Sequence, residues 1–135
     1  PIPKITPWVL DRLKEVNAKA TFFCVGENAK AHPKIFNRIL KEGHSIGNHT
    51  FNHLNGLKTS TEHYIENIEK TKNCFLKNNK THFLNKNLLF RPPYGKISPR
   101  QTKIIKTKDY KIVLWDVLSR DYDTNLSRES CFEML

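Results

Sequence analysis

The chain has 135 residues, 38% of them hydrophobic, and a formal charge of +10. That supplies the core of one domain but less than a full α/β barrel needs; no apolar run nears the ~20 residues of a membrane span, and the opening PIPKITPWVL has neither the basic nor the long apolar region of a signal peptide. The charge would suit nucleic acid if it clustered, but lysines recur in every segment beside asparagines, as in KNNKTHFLNKN, so a dedicated nucleic-acid surface is not expected.

Thr6 before Pro7 is a helix opening, a hydroxyl cap ahead of a proline, and Trp8, Val9, Leu13 and Val16 follow as an apolar stripe. Residues 20–25, ATFFCV, form a continuous apolar run stopped by Gly26 and read as a buried strand of a parallel sheet. A second helix starts near Pro33, with Ile35, Phe36, Ile39 and Leu40 on one face and Gly43 as its stop, and residues 44–47 then make a short strand. Ser60 and Thr61 cap a longer helix whose buried side is Tyr64, Ile65, Ile68, Cys74 and Phe75, giving out in the polar tract 77–80. LLF at 88–90 is a third strand, Ser98-Pro99 opens a helix bearing Ile104 and Ile105, and YKIVLWDV at 110–117 is the strongest strand signal in the chain. Such alternation implies βαβ units around a parallel sheet, with chemistry gathered at the C-terminal ends of the strands. Polar clusters fall there: Gly26-Glu27-Asn28, residues 48–53, 91–94 and 116–123. Cys24, Cys74 and Cys131 are odd in number, share no CxxC spacing and read as packed thiols.

HSIGNHTFNHL at 44–54 holds three of the six histidines. His49 and His53 stand four apart, so on a tight loop or helical turn both rings can face one point, as a divalent metal requires. Spacing alone leaves two surface histidines in a polar loop as the alternative. His44, at a strand start, is expected to cap or pack. In RPPYG at 91–95, two prolines fix a turn that can present the Tyr94 amide while the Arg91 guanidinium clamps a carboxylate, or the phrase is a plain turn beside an arginine. WDVLSRDYD adds Trp115, Asp116, Asp121 and Asp123, acids that either orient a histidine or arginine or are solvated loop residues.

Taken together and in order, these phrases resemble the polysaccharide deacetylase family, the NodB-homology domain of carbohydrate esterase family 4. The stretch from Pro1 through ATFFCV looks like the part of the family that follows its Thr-Phe-Asp-Asp-Gly-Pro motif. HTFNH at 49–53 matches the His-Ser/Thr-x-x-His metal motif, and RPPYG matches Arg-x-Pro-Tyr. LWDVLSRDYD resembles the fourth motif, with Leu118 and Tyr122 as departures. The resemblance implies an α/β fold, an incomplete, distorted (β/α) barrel with a parallel sheet, in which residues 1–135 are a partial domain lacking the first-motif strand and the late Leu-x-His motif.

It further implies a hydrolase that uses Zn²⁺ or a similar divalent ion to remove acetyl groups from N- or O-acetylated glycans. His49 and His53 would be metal ligands, with Thr50 supporting their loop. Arg91 would hold the catalytic base, the Tyr94 amide would stabilise the oxyanion, Trp115 and Pro93 would line the acetyl pocket, and Asp116 or Asp121 would tune an acid histidine. Without the base-bearing and acid-bearing motifs the piece is expected to be a defective catalyst. His32, His63 and His82 match no motif and read as surface residues. The expected partner is an acetylated glycan and the expected state a monomer; localisation stays open. Two other readings remain, a catalytically silent glycan binder and a basic nucleic-acid module.

Overall fold

A computed structural model describes residues 2–78, 88–120 and 122–133. In chain order the elements are α1 (Ile5–Glu15), β1 (Thr21–Cys24), α2 (Gly26–Ala31), α3 (Pro33–Lys41), β2 (Ser45–Asn48), α4 (Thr61–Asn78), β3 (Leu88–Phe90), α5 (Pro99–Thr107), β4 (Tyr110–Ile112) and α6 (Arg128–Glu133), with tight 3₁₀ turns at Gly56–Lys58 and Pro93–Gly95. All strand pairs are parallel, in the order β1-β2-β3-β4. This is the α/β class expected from the alternating pattern; among the described residues the sheet is open rather than closed into a barrel. The register sets Cys24 beside Asn48 and Asn48 beside Phe90. The loops HTFNH and RPPYG therefore leave neighbouring strands at the same edge.

Helices cover the sheet through two apolar clusters. Leu10, Cys24, Ala29, Phe36, Ile39, Leu40, Ile46 and Phe75 form one; Tyr64, Ile68, Phe90, Ile105 and Tyr110 form the other. Rings mesh within each, Phe36 on Phe75 at 4.9 Å and Phe90 edge-on to Tyr64 and Tyr110 at 6.2 Å each. Each fully buried side chain of this size contributes about 1.5–3 kcal/mol. Ser98 and Gln101 close a capping box at the start of α5, the Gln101 amide donating to Ser98 Oγ and the Ser98 amide to Gln101 Oε1. Gly43, at φ +79°, ends α3 in the left-handed region and turns the chain back into β2. The cysteines are free thiols, and burial pushes the Cys24 thiol up to about 11.

Several elements depart from the sequence reading. α1 starts at Ile5, so Thr6 lies inside the first turn, where its hydroxyl accepts the Ile2 amide rather than capping. Proline is tolerated anywhere in that turn, so Pro7 does not fix where the helix begins. The stripe on α1 is half outside: Trp8 and Val16 are exposed and Val9 and Leu13 half-buried, and Leu10 is the apolar residue of the helix that enters the core. The polar cluster Gly26-Glu27-Asn28, for which the sequence reading has no element, opens the short helix α2, GENAKA. β4 ends at Ile112 instead of Val117; one further bond, Val113 N–H to Phe90 O, precedes the exposed Leu114, Trp115 and Val117. Its partner β3 gives way at Arg91 to Pro92 and Pro93, which have no N–H with which to extend a ladder.

Candidate active site

His49 follows the last residue of β2, and its backbone amide donates to Cys24 O. Its ring Nδ1 lies 2.6 Å from the Arg91 carbonyl oxygen. A carbonyl only accepts, so Nδ1 carries the proton and the neutral ring keeps its lone pair on Nε2. The His53 ring packs on that of His49 with centroids 4.9 Å apart, and its Nδ1 is 3.2 Å from the Tyr94 hydroxyl. Burial lowers the pKa of both rings, that of His49 to about 4, even though the Arg91 carbonyl opposes the shift. Both imidazoles are therefore neutral near pH 7, the state in which they can bind a metal.

The chain between them is bent in a way its residues disfavour. Thr50 (φ 60°) and His53 (φ 56°) occupy the left-handed region, which costs about 1–2 kcal/mol for each residue bearing a Cβ. Buried groups offset that cost. The Thr50 hydroxyl, fully buried, accepts the Leu54 amide, and Asn48 Oδ1 accepts the Thr50 amide. The carbonyls of Thr50 and Phe51 accept the amides of Gly26 and Glu27. No side chain fits at Gly26, where a Cβ would stand 2.6 Å from the Phe51 ring.

RPPYG closes the other side. Pro92 and Pro93 are fully buried and aim the turn, while Tyr94 sits at φ 59°. Among the described residues its backbone N–H has no acceptor. Trp115 lies against Gly95, close enough that a Cβ there would stand 2.9 Å from the indole Cη2. The Arg91 guanidinium stacks on Phe23, with Cζ 4.1 Å from the ring centroid, and donates to the carbonyls of Val113 and Leu114 at 3.4 and 2.8 Å.

A family model for polysaccharide deacetylase matches residues 1–113. The chain belongs to the polysaccharide deacetylase family. It is 42% identical over 119 residues to a peptidoglycan-N-acetylglucosamine deacetylase of Bacillus cereus, covering 88% of this chain and 42% of that protein. To the chitooligosaccharide deacetylase of Azorhizobium caulinodans it is 34% identical, covering 91% of this chain and 57% of the relative. The chain thus spans about half the length of these relatives. Among solved structures, a peptidoglycan N-acetylglucosamine deacetylase in complex with 4-naphthalen-1-yl-N-oxidanyl-benzamide superposes with a TM-score of 0.90 at 36% identity, over 100% of this chain and 61% of that one. The peptidoglycan deacetylase PdaC of Bacillus subtilis superposes with a TM-score of 0.87 at 29% identity, over 99% and 62%. These likenesses extend the open sheet described above to the barrel type expected for the family.

Within this polysaccharide deacetylase chain the structure brings His49, His53, Arg91, Pro93, Tyr94 and Trp115 to one edge of the sheet. Asp116 is exposed on the tail of β4, and Asp121 lies outside the described residues. Asp123 is bound up locally: its carboxylate accepts from Arg120 and Asn125, and the Asn125 backbone amide leads in holding its pKa down. His44 is buried, its Nδ1 accepting the Ala20 amide at 3.3 Å beside the Phe22 ring, which is the packing role expected of it. His63 is exposed, His32 half-buried, and His82 outside the described residues. Sequence reasoning placed Asn48 in a strand-end polar cluster without giving it a role, and missed Asn67 and Phe23: an asparagine mid-helix signals no site, and Phe23 read only as sheet core.

The two imidazoles fit a divalent metal as far as they go: both are neutral, their rings pack together, and His49, with its proton held on Nδ1 by a carbonyl, keeps a lone pair on Nε2. Among the described residues no third His, Cys, Asp or Glu joins them.

Proposed function

We propose that this domain holds the metal and oxyanion side of a deacetylase acting on acetylated glycans, with His49 and His53 as two ligands of Zn²⁺ or a similar ion. The observation that carries the reading is the 2.6 Å contact of His49 Nδ1 with the Arg91 carbonyl, which leaves the lone pair on Nε2 and couples the two motifs. The ion, when bound, supplies Lewis acidity toward the acetyl carbonyl and acidifies water. Everything else is done by the chain. Arg91 fixes the His49 tautomer through its carbonyl and ties the β4 tail down through its guanidinium. The Tyr94 amide, without an acceptor among the described residues, is available to the oxyanion that develops as the acetyl carbon becomes tetrahedral, a kind of donor worth about 2.7–4 kcal/mol of barrier. Trp115 and Pro93 give the acetyl methyl an apolar wall, and Asp116 or Asp121 tunes an acid histidine.

The relatives are named for peptidoglycan, chitooligosaccharide and chitin, so the substrate class is an N-acetylglucosamine polymer or oligomer. The test is acetate release from such oligomers by the intact protein, before chelation, after it, and after Zn²⁺ is restored. Loss and recovery are expected; turnover untouched by chelation overturns the reading. The alternative reading is a glycan binder without turnover, which the same assay separates by oligomer binding with no acetate released.

A further inference from the structure

We propose that Asn67, carried by α4, is a positioning residue for the histidine pair, holding the backbone between the rings so that both can share one ion. The inference rests on the metal reading above. Asn67 is 5% exposed. Its Oδ1 accepts two consecutive amides, from Phe51 at 2.6 Å and Asn52 at 3.0 Å, and its Nδ2 donates to Asn52 Oδ1 at 3.1 Å. Two N–H groups pointing at one atom settle which end of the amide that atom is, since an NH₂ there would face two donors.

Phe51 and Asn52 lie between the two histidines, and their peptide planes decide where the rings go. The loop's carbonyls are already taken on one side, by the amides of Gly26 and Glu27. Asn67 takes the amides on the other. Its own position is fixed because α4 buries Tyr64 and Ile68 on one side of it and Thr71 and Phe75 on the other. A helix thus sets a loop that contains two left-handed residues, and the acceptor that does so comes from well outside the histidine motif.

The test compares Asn67→Leu, which keeps size and helix but removes the acceptor, with Asn67→Asp, which keeps an acceptor for both amides while the exposed Asn52 side chain turns its NH₂ inward. Ile68→Val, a core change next to it, controls for lost stability. Two quantities are read on each protein: Zn²⁺ affinity by competition with a chromophoric chelator, and hydrogen exchange of the Phe51 and Asn52 amides without metal. Asn67→Leu is expected to weaken Zn²⁺ binding about 10–100-fold, the usual loss for a group that orients ligands, and to speed exchange at both amides. Asn67→Asp should recover most of each, and Ile68→Val should leave both near the parent at a comparable drop in Tm. Parent-like Zn²⁺ affinity in Asn67→Leu, while His49→Ala abolishes binding, overturns the proposal. If His49→Ala binds Zn²⁺ as the parent does, it is the metal reading that has failed, and the exchange rates then decide by themselves whether Asn67 holds the loop.

Discussion

Gly95→Ala probes whether the RPPYG turn is held by backbone shape, by Trp115, or by both. Gly95 has φ +65°, and an added Cβ would meet the indole at 2.9 Å (Cη2) and 3.3 Å (Cζ2). A Cβ in the left-handed region costs about 1–2 kcal/mol. Moving the indole off its rotamer costs about 0.5–1.5 kcal/mol more, and alanine returns about 0.4–1 kcal/mol by restricting the unfolded chain. The net is a loss of about 0.5–3 kcal/mol. In a Trp115→Ala background the indole contribution vanishes, so the same substitution should cost about 0–1.6 kcal/mol. The cycle is run by urea unfolding followed by far-ultraviolet circular dichroism, since deleting an indole alters fluorescence. A Gly95→Ala loss of the same size in both backgrounds would refute the idea that Trp115 packs on the turn, and a loss below about 0.5 kcal/mol in both would refute the left-handed turn as well.

Arg91→Lys keeps a charge but loses the planar group that stacks on Phe23 and reaches two carbonyls; kcat for acetate release should fall while Zn²⁺ content, which depends on the Arg91 backbone carbonyl, stays near the parent, and normal turnover would remove the guanidinium from the site. Tyr64→Phe should be neutral or stabilising by up to about 1 kcal/mol, because the buried hydroxyl finds no partner among the described residues; a loss above that in chemical denaturation would show that it has one. Burial, reinforced by the Lys19 charge and opposed by Glu42, lowers the His44 pKa beneath its usual 6.5. Its contribution to stability is therefore complete above pH 6.5 and is lost as pH falls below that value. The Tm gap between parent and His44→Asn, wider at pH 7.5, should narrow toward pH 5, and a gap independent of pH would contradict this.

Apart from α2, helix and strand order was legible because it rests on local signals: apolar runs, helix openings such as Ser98-Pro99, and Gly43 after α3. What failed were statements about partners. YKIVLWDV has the letters of a long strand, but a strand lasts only as long as its neighbour, and Pro92 and Pro93 end that neighbour's ladder. The stripe on α1 was likewise real as a pattern and only half right as a burial map, since Val9 and Leu13 are half-buried while Trp8 and Val16 are exposed.

The site divides the same way. His49, His53, Arg91 and Tyr94 were readable because each sits in a short phrase whose spacing is itself the signal. The groups that make those residues useful carry none. A left-handed Thr50 or His53 has no mark in the letters, because either residue is at ease in many other conformations and is held here largely by bonds that arrive from α2, α4 and the end of β2. A motif names the atoms that face the substrate. Whether those atoms meet depends on acceptors such as Asn48 Oδ1 and Asn67 Oδ1, each an ordinary buried amide until the fold sets it opposite a loop that cannot keep its shape alone.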